Sequence, residues 1–168
     1  MKIFASAVLA LLPVLAIPTA ALADEFYTGI FIGSQHIGND KLNNVNPGLT
    51  IGHRWDRAGS SVEYHIEAGV FYNSYKEVSP ILMAGISTRL AEIGPGDLRV
   101  GASIGTAYYE KLSHQIKREY GIPNVGGFIP IVALSASYRI GGTEVRLTTV
   151  PPDVDTKAVV NLSLALSF

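Results

Sequence analysis

Apolar side chains alternate with small or polar ones through the last ten residues, VVNLSLALSF. Val160, Leu162, Leu164, Leu166 and Phe168 fall on one face of an extended strand, and Asn161, Ser163, Ala165 and Ser167 on the other. An apolar face that ends on an aromatic suits a strand with one side in lipid. Lipid supplies no partner for a free N–H or C=O group, so such a strand must belong to a sheet that closes on itself. This one segment therefore restricts the chain to a closed barrel.

The start of the chain points to the same compartment. Lys2 supplies a positive beginning, Ile3 to Ile17 is an apolar run, and Ala21-Leu22-Ala23 has the small-x-small pattern of a cleavage site. Pro13 and Pro18 interrupt the segment, which is shorter than the roughly 20 residues a membrane-spanning helix needs. Residues 1–23 are expected to be a cleaved secretory signal and residues 24–168 a single barrel domain. The chain has no cysteine, which excludes a disulfide framework and a thiolate metal site. A net charge of −1 without a basic block argues against a nucleic-acid partner. No later apolar run is long enough for a spanning helix, so strands must do the crossing. The final strand also resembles the closing strand of bacterial outer-membrane β-barrels, which implies that location.

Alternation and turn residues predict eight strands, at about 26–35, 48–56, 61–72, 80–90, 97–108, 127–140, 143–150 and 158–168. The second, fourth and sixth connections are short, and Gly141-Gly142 suits a type I′ hairpin. The others, 36–47, 73–79, 109–126 and 151–157, are longer. The expected fold is all-β: an antiparallel transmembrane barrel with short periplasmic turns and longer external loops. Outward-phase Trp55, Tyr138 and Phe168 would lie at the turn end, and Tyr72, Tyr108 and Phe128 at the loop end, as two interfacial belts. His53 breaks the apolar outward face it shares with Leu49, Ile51 and Trp55. Eight strands leave room for side chains or one slim ligand, which excludes a diffusion pore.

The inward phase is divided along the barrel. Arg54, Glu63, His65, Glu67, Arg89, Arg99, Arg139, Glu144 and Arg146 all fall in the half near the short turns. Buried charges persist when paired, so a floor of ion pairs is expected there. Toward the loops the inward residues are apolar or small, including Gly69, Phe71, Ile81, Met83, Gly85 and Gly105. That pattern reads as an ordinary small barrel with a hydrophobic upper core. It reads equally as a cup for a hydrocarbon chain, in which the glycines leave room.

Among the four histidines, His65 lies with the floor charges and His114 in the longest loop, which reads as solvated. His36 stands just past the first strand, at the mouth of the cup. Strand three leads into Phe71-Tyr72-Asn73-Ser74-Tyr75, two strand spacings away, about 10 Å at the backbone. A histidine base beside a hydroxyl is an acyl-transfer pair.

At these residues the sequence resembles the lipid A palmitoyltransferase family of the outer membrane. His36 falls where that family has its essential histidine. Asn46-Pro47-Gly48 followed by Gly52-His53-Arg54-Trp55-Asp56 is similar to the family's proline, glycine-rich strand and Arg-Trp-Asp turn. Phe71 to Tyr75, with Pro80 beyond, resembles its Asp-Ser catalytic loop, and Thr149-Val150-Pro151 the start of its last external loop. The resemblance implies His36 and Ser74 as catalytic, with Asn73 orienting them in place of the family's aspartate. It implies an acyl pocket of Gly69, Phe71, Met83 and Gly85, with Gly85 as the floor that measures chain length. It also implies lateral lipid access near Pro47 and Pro151, where proline removes a ladder donor. Phe31 replaces one expected rim proline, and a first strand starting almost at Asp24 leaves no preceding amphipathic helix. Phospholipid and lipid A are the implied partners of a monomeric, membrane-embedded enzyme, with no cofactor and no metal. The alternative is a non-catalytic lipid-binding or structural barrel. A lipid A deacylase is disfavoured, because no histidine follows His114.

Overall fold

A computed structural model describes residues 22–57, 60–121, 125–151 and 156–168. Most of the expected leader, and parts of the second, fifth and seventh connections, lie outside the described residues. Eight strands pair antiparallel in chain order and close into a barrel. They are β1 (Leu22–Ile37), β2 (Gly48–Arg57), β3 (Val62–Tyr72), β4 (Val78–Ile93), β5 (Gly96–Tyr108), β6 (Phe128–Ile140), β7 (Thr143–Val150) and β8 (Ala158–Ser167). Tyr27 pairs with Gly52 on β2 and with Ser167 on β8, so the first and last strands complete the ring. Every predicted strand is present, although β1 and β4 run longer than the alternation suggested.

The phase also holds. Ile51, Leu82, Ile104, Leu134, Leu147 and Leu162 lie exposed on the outside, an apolar belt that only lipid accommodates well. Among the described residues no helix is long and apolar enough to cross a membrane. His53 keeps the predicted register, opposite Phe26 and Ile66. Its ring lies 4.7 Å from that of Phe26 and 5.3 Å from that of Trp55, and Trp55 stacks on Tyr64. The histidine is thus one flat ring in an aromatic row at the turn end, where amphipathic rings suit the bilayer interface.

Inside, the charges form one connected floor. Glu144 sits 2.6 Å from Arg54, 2.8 Å from Arg139 and 3.2 Å from Arg146. Glu63 takes both terminal nitrogens of Arg139, at 2.8 and 2.9 Å, and lies 3.8 Å from Arg99. Glu67 accepts from Arg146, Tyr27 and Thr50 at 2.7–3.0 Å. Glu25 adds an ion pair to Arg54 at 2.8 Å. The guanidinium of Arg54 also lies 4.7 Å over the Tyr27 ring. Arg89, expected in this network, is outside it. Its side chain is 43 % exposed and pairs with Glu92 and Asp97 beside the β4–β5 turn. A register shift between Arg89 and Ala91 marks where the strand leaves the regular inward phase.

The connection 109–126, expected as a solvated loop, contains a helix, α1 (Glu110–Tyr120). Leu112 and Ile116 stand four apart and face the barrel interior, while Lys111, His114, Lys117 and Arg118 face out or lie half-exposed. Glu110 in the first turn, Lys117 and Arg118 in the last, and left-handed Gly121 at the end are ordinary start and stop signals. The helix was legible in the sequence, but it is short and its apolar stripe is only two residues deep.

Removing one floor partner leaves its counter-charges buried and unpaired. Glu144→Leu should destabilise the barrel by about 3–5 kcal/mol. Arg89→Ala should change stability by less than about 1 kcal/mol. Urea unfolding in lipid vesicles, followed by Trp55 fluorescence, checks both.

Candidate functional site

Strict alternation would aim His36 outward, since Tyr27, Gly29 and Phe31 face in. The pairing of β1 with β8 shifts at this point: Phe31 pairs with Ser163 and Gly33 with Leu162, leaving Ile32 as an extra residue. This bulge reverses the phase of the strand end, so Ser34 and His36 turn toward the interior opposite Asn161 and Val159. His36 is only 2 % exposed.

Ser74 is placed by the turn that follows β3. Asn73, fully buried, accepts the N–H groups of Tyr75 and Glu77 on Oδ1 at 2.8 and 3.0 Å. Its Nδ2 donates to Ser79 Oγ at 2.9 Å, and Ser79 in turn donates to the carbonyl of Tyr108. Lys76 adopts a left-handed conformation, φ 63°, to complete the tight turn. Asn73 is therefore committed to shaping the turn. It has no hydrogen bond to His36, the residue it was expected to orient.

The turn delivers Ser74 Oγ to 2.6 Å from His36 Nε2. The other ring nitrogen, Nδ1, lies 2.7 Å from Asn44 Oδ1. Sequence reading did not single out Asn44. The one local signal is the asparagine-rich run Asn43-Asn44-Val45-Asn46 ahead of Pro47. That run folds back as a strap between the ends of β1 and β3. Ser34 N donates to Asn44 O at 2.9 Å, and Asn43 N to Ser74 O at 3.2 Å. Asn46 accepts from Ser34 Oγ and donates to Tyr72 O at 2.9 Å.

Below the pair lies a cavity of about 360 Å³, with Phe31, Phe71, Ile81, Met83 and Ile131 among its walls. Glu63, Glu67, Glu144 and Arg146 of the floor reach its lower end, and Leu112 and Ile116 of α1 reach its upper end. Of the expected acyl-pocket residues, Phe71 and Met83 line this space, whereas Gly69 and Gly85 do not. Their missing side chains are replaced by neighbours. A Cβ on Gly85 would meet Ala102 O and His65 Cε1 at 2.6 Å, and one on Gly69 would meet Thr50 at 2.6 Å. These glycines allow close packing of adjacent side chains and backbone instead of opening the cup. His65, at that level, bonds Ser103 Oγ at 3.0 Å.

The two rim prolines differ in placement. Pro47 lies outside the cavity wall, and its carbonyl accepts Tyr72 N at 2.9 Å, so the strap closes that side. Pro151 lines the cavity. Beside it the β6–β7 ladder begins only at Leu134 and Thr149, and β7 offers Phe128–Ala133 no partner among the described residues. Pro130, which has no N–H to leave unpaired, falls in this open stretch. Pro130 and Val132 belong to the outward phase yet contribute to the cavity wall. The cavity wall thus includes outward-phase residues on the β7 side of β6.

No protein-family model matches the chain, and no curated protein matches it. Similar solved structures include the following two. One is the outer-membrane protein Ail of Yersinia pestis in a phospholipid bilayer nanodisc, with a TM-score of 0.46, 11 % identity, and 86 % of this chain and 99 % of that chain covered. The other is Neisserial surface protein A, with a TM-score of 0.43, 8 % identity, and 89 % and 100 % covered.

The packing around Gly85 makes a testable distinction. Gly85→Ala should destabilise the barrel by about 1–3 kcal/mol, because its Cβ displaces His65 and a backbone carbonyl. A glycine facing empty space would accept the methyl group without loss in vesicle unfolding.

Proposed function

We propose that the protein is an acyltransferase of the bacterial outer membrane, made with a leader at 1–23 that is removed, and that it moves a fatty acyl chain from a phospholipid to lipid A. The observation that carries this reading is the 2.6 Å Ser74–His36 contact at the rim of an apolar cavity whose wall includes Pro130, Val132 and Pro151. An acyl chain would enter from the bilayer past Pro130 and Pro151 and lie along Phe71, Ile81 and Met83. Ser74 Oγ would then attack the ester carbonyl carbon while its proton passes to His36 Nε2. The bond from that carbon to the glycerol oxygen breaks, and this oxygen takes the proton from His36. A hydroxyl of lipid A attacks the Ser74 ester in turn and gives its proton to His36; the bond from the acyl carbon to Ser74 Oγ breaks, and Oγ takes that proton back from His36.

The floor supports this use. Its charges are consumed in pairing, so they close the lower end without presenting a free charge to the chain. A second reading, a barrel that holds lipid without turnover, is favoured by residue 73. The family's aspartate is an amide here, and its polar atoms are spent on the turn.

Purified barrel with labelled phospholipid and lipid A should yield acylated lipid A, and Ser74→Ala or His36→Ala should lower the rate by about 10³-fold or more. Bound chain with no transfer in the wild type would establish the second reading. Access through the β6–β7 gap has its own check. Val150→Trp should slow transfer about tenfold, a modest barrier of about 1.4 kcal/mol, by narrowing the opening. Leu49→Trp, on the lipid face near Pro47, should leave the rate unchanged; the reverse pattern would place entry beside β2.

A further inference from the structure

We infer that Asn44 is the positioning residue of the site: it holds the imidazole proton on Nδ1 of His36 and leaves Nε2 bare toward Ser74. The inference rests on the acyl-transfer reading only for its consequence, since the proton's location is a property of the folded barrel. Two short contacts define it. Nδ1 lies 2.7 Å from Asn44 Oδ1, and Nε2 lies 2.6 Å from Ser74 Oγ. A carbonyl oxygen can only accept, so the contact at Nδ1 requires the hydrogen there. Nε2 of a neutral ring is then an acceptor, and the Ser74 hydroxyl is the donor. The opposite tautomer would set a lone pair against the Asn44 oxygen and an N–H against Ser74. In that arrangement the serine could not give up its proton to the ring.

Burial gives this choice its weight. His36 is 2 % exposed, so solvent has little access to satisfy the wrong tautomer. Asn44 itself is exposed, and its position comes from the backbone around it. Gly33, at the bulge, lets the strap approach, since a Cβ there would meet Asn44 O at 2.9 Å. Ser34 N fixes that same carbonyl at 2.9 Å. Asn43 N binds Ser74 O at 3.2 Å, so two adjacent residues of one strap hold the base and its hydroxyl partner together. Asn43 also folds the strap through its own side chain, bonding Val45 O at 2.6 Å and Val45 N at 3.3 Å. The bulge that turns His36 inward and the glycine that admits the strap are thus one local feature.

The test uses the full barrel labelled with nitrogen-15 histidine in lipid nanodiscs, with the His36 signals assigned by their loss in His36→Gln. In the wild type at neutral pH the ring nitrogens should report hydrogen on Nδ1. Asn44→Leu should move the population toward hydrogen on Nε2, and Asn44→Asp, which keeps an acceptor, should restore the original pattern. In parallel, a long-chain alkyl fluorophosphonate should label Ser74. The rate should fall by roughly 100-fold in Asn44→Leu and recover to within about tenfold in Asn44→Asp. Heat-modified mobility on gels shows that each variant has formed its barrel. Hydrogen on Nε2 in the wild type, or a tautomer unmoved by Asn44→Leu, overturns the inference. The predicted tautomers with no labelling in any form would instead overturn the acyl-transfer reading and leave the role of Asn44 standing.

Discussion

Closure of the backbone ladder in a solvent that offers no hydrogen bonds is the constraint on which the rest of this structure depends. Once β1 pairs with β8, the outer face is obliged to be apolar and every polar need must be met from within. An eight-stranded ring leaves a narrow interior, and this chain fills it unevenly. The lower half holds carboxylates and guanidiniums in a network centred on Glu144, which serves three arginines at once. The upper half holds a cavity. The two zones depend on each other, because a paired floor gives the cavity a closed lower end without a free charge.

Among the described residues the β6–β7 ladder stops at Leu134 and Thr149, beside the cavity. β6 continues past the end of its pairing with β7, and prolines stand on both sides of the break. A proline in an unpaired stretch removes a donor that would otherwise be stranded, so an opening here is less costly than elsewhere on the ring. On the other side, near Pro47, the asparagine strap restores the lost pairing with side-chain and main-chain bonds. The same strap fixes the Ser74–His36 pair. Closure of one rim and construction of the site are therefore one structural event.

Much of this architecture is legible in the sequence, because a strand in lipid has few ways to satisfy itself. The period of two in VVNLSLALSF fixes the phase of β8, and the same rule assigns the outward leucines and the inward charges on the other strands. His36 and Ser74 can be named from position and chemistry. What alternation cannot reach are departures from it. The bulge at Ile32 reverses the face of His36, and Arg89, though in register opposite Arg99, pairs with Glu92 and Asp97 at the turn instead of with the floor. The helix α1 belongs to a different period, with only Leu112 and Ile116 to announce it.

The sequence by itself determined the barrel, its strand phases and its charged and apolar halves, since these follow from local periodicity and the demands of the solvent. Only the tertiary structure decided that Asn73 shapes the turn while Asn44 meets the histidine. Residues 73 and 44 are both asparagines beside the site, and no local rule separates an amide that folds its own turn from one that reaches another strand. The close packing around Gly69 and Gly85 was equally beyond local reading. A missing side chain is visible in the sequence, but what occupies its space is decided by strands that register alone brings together.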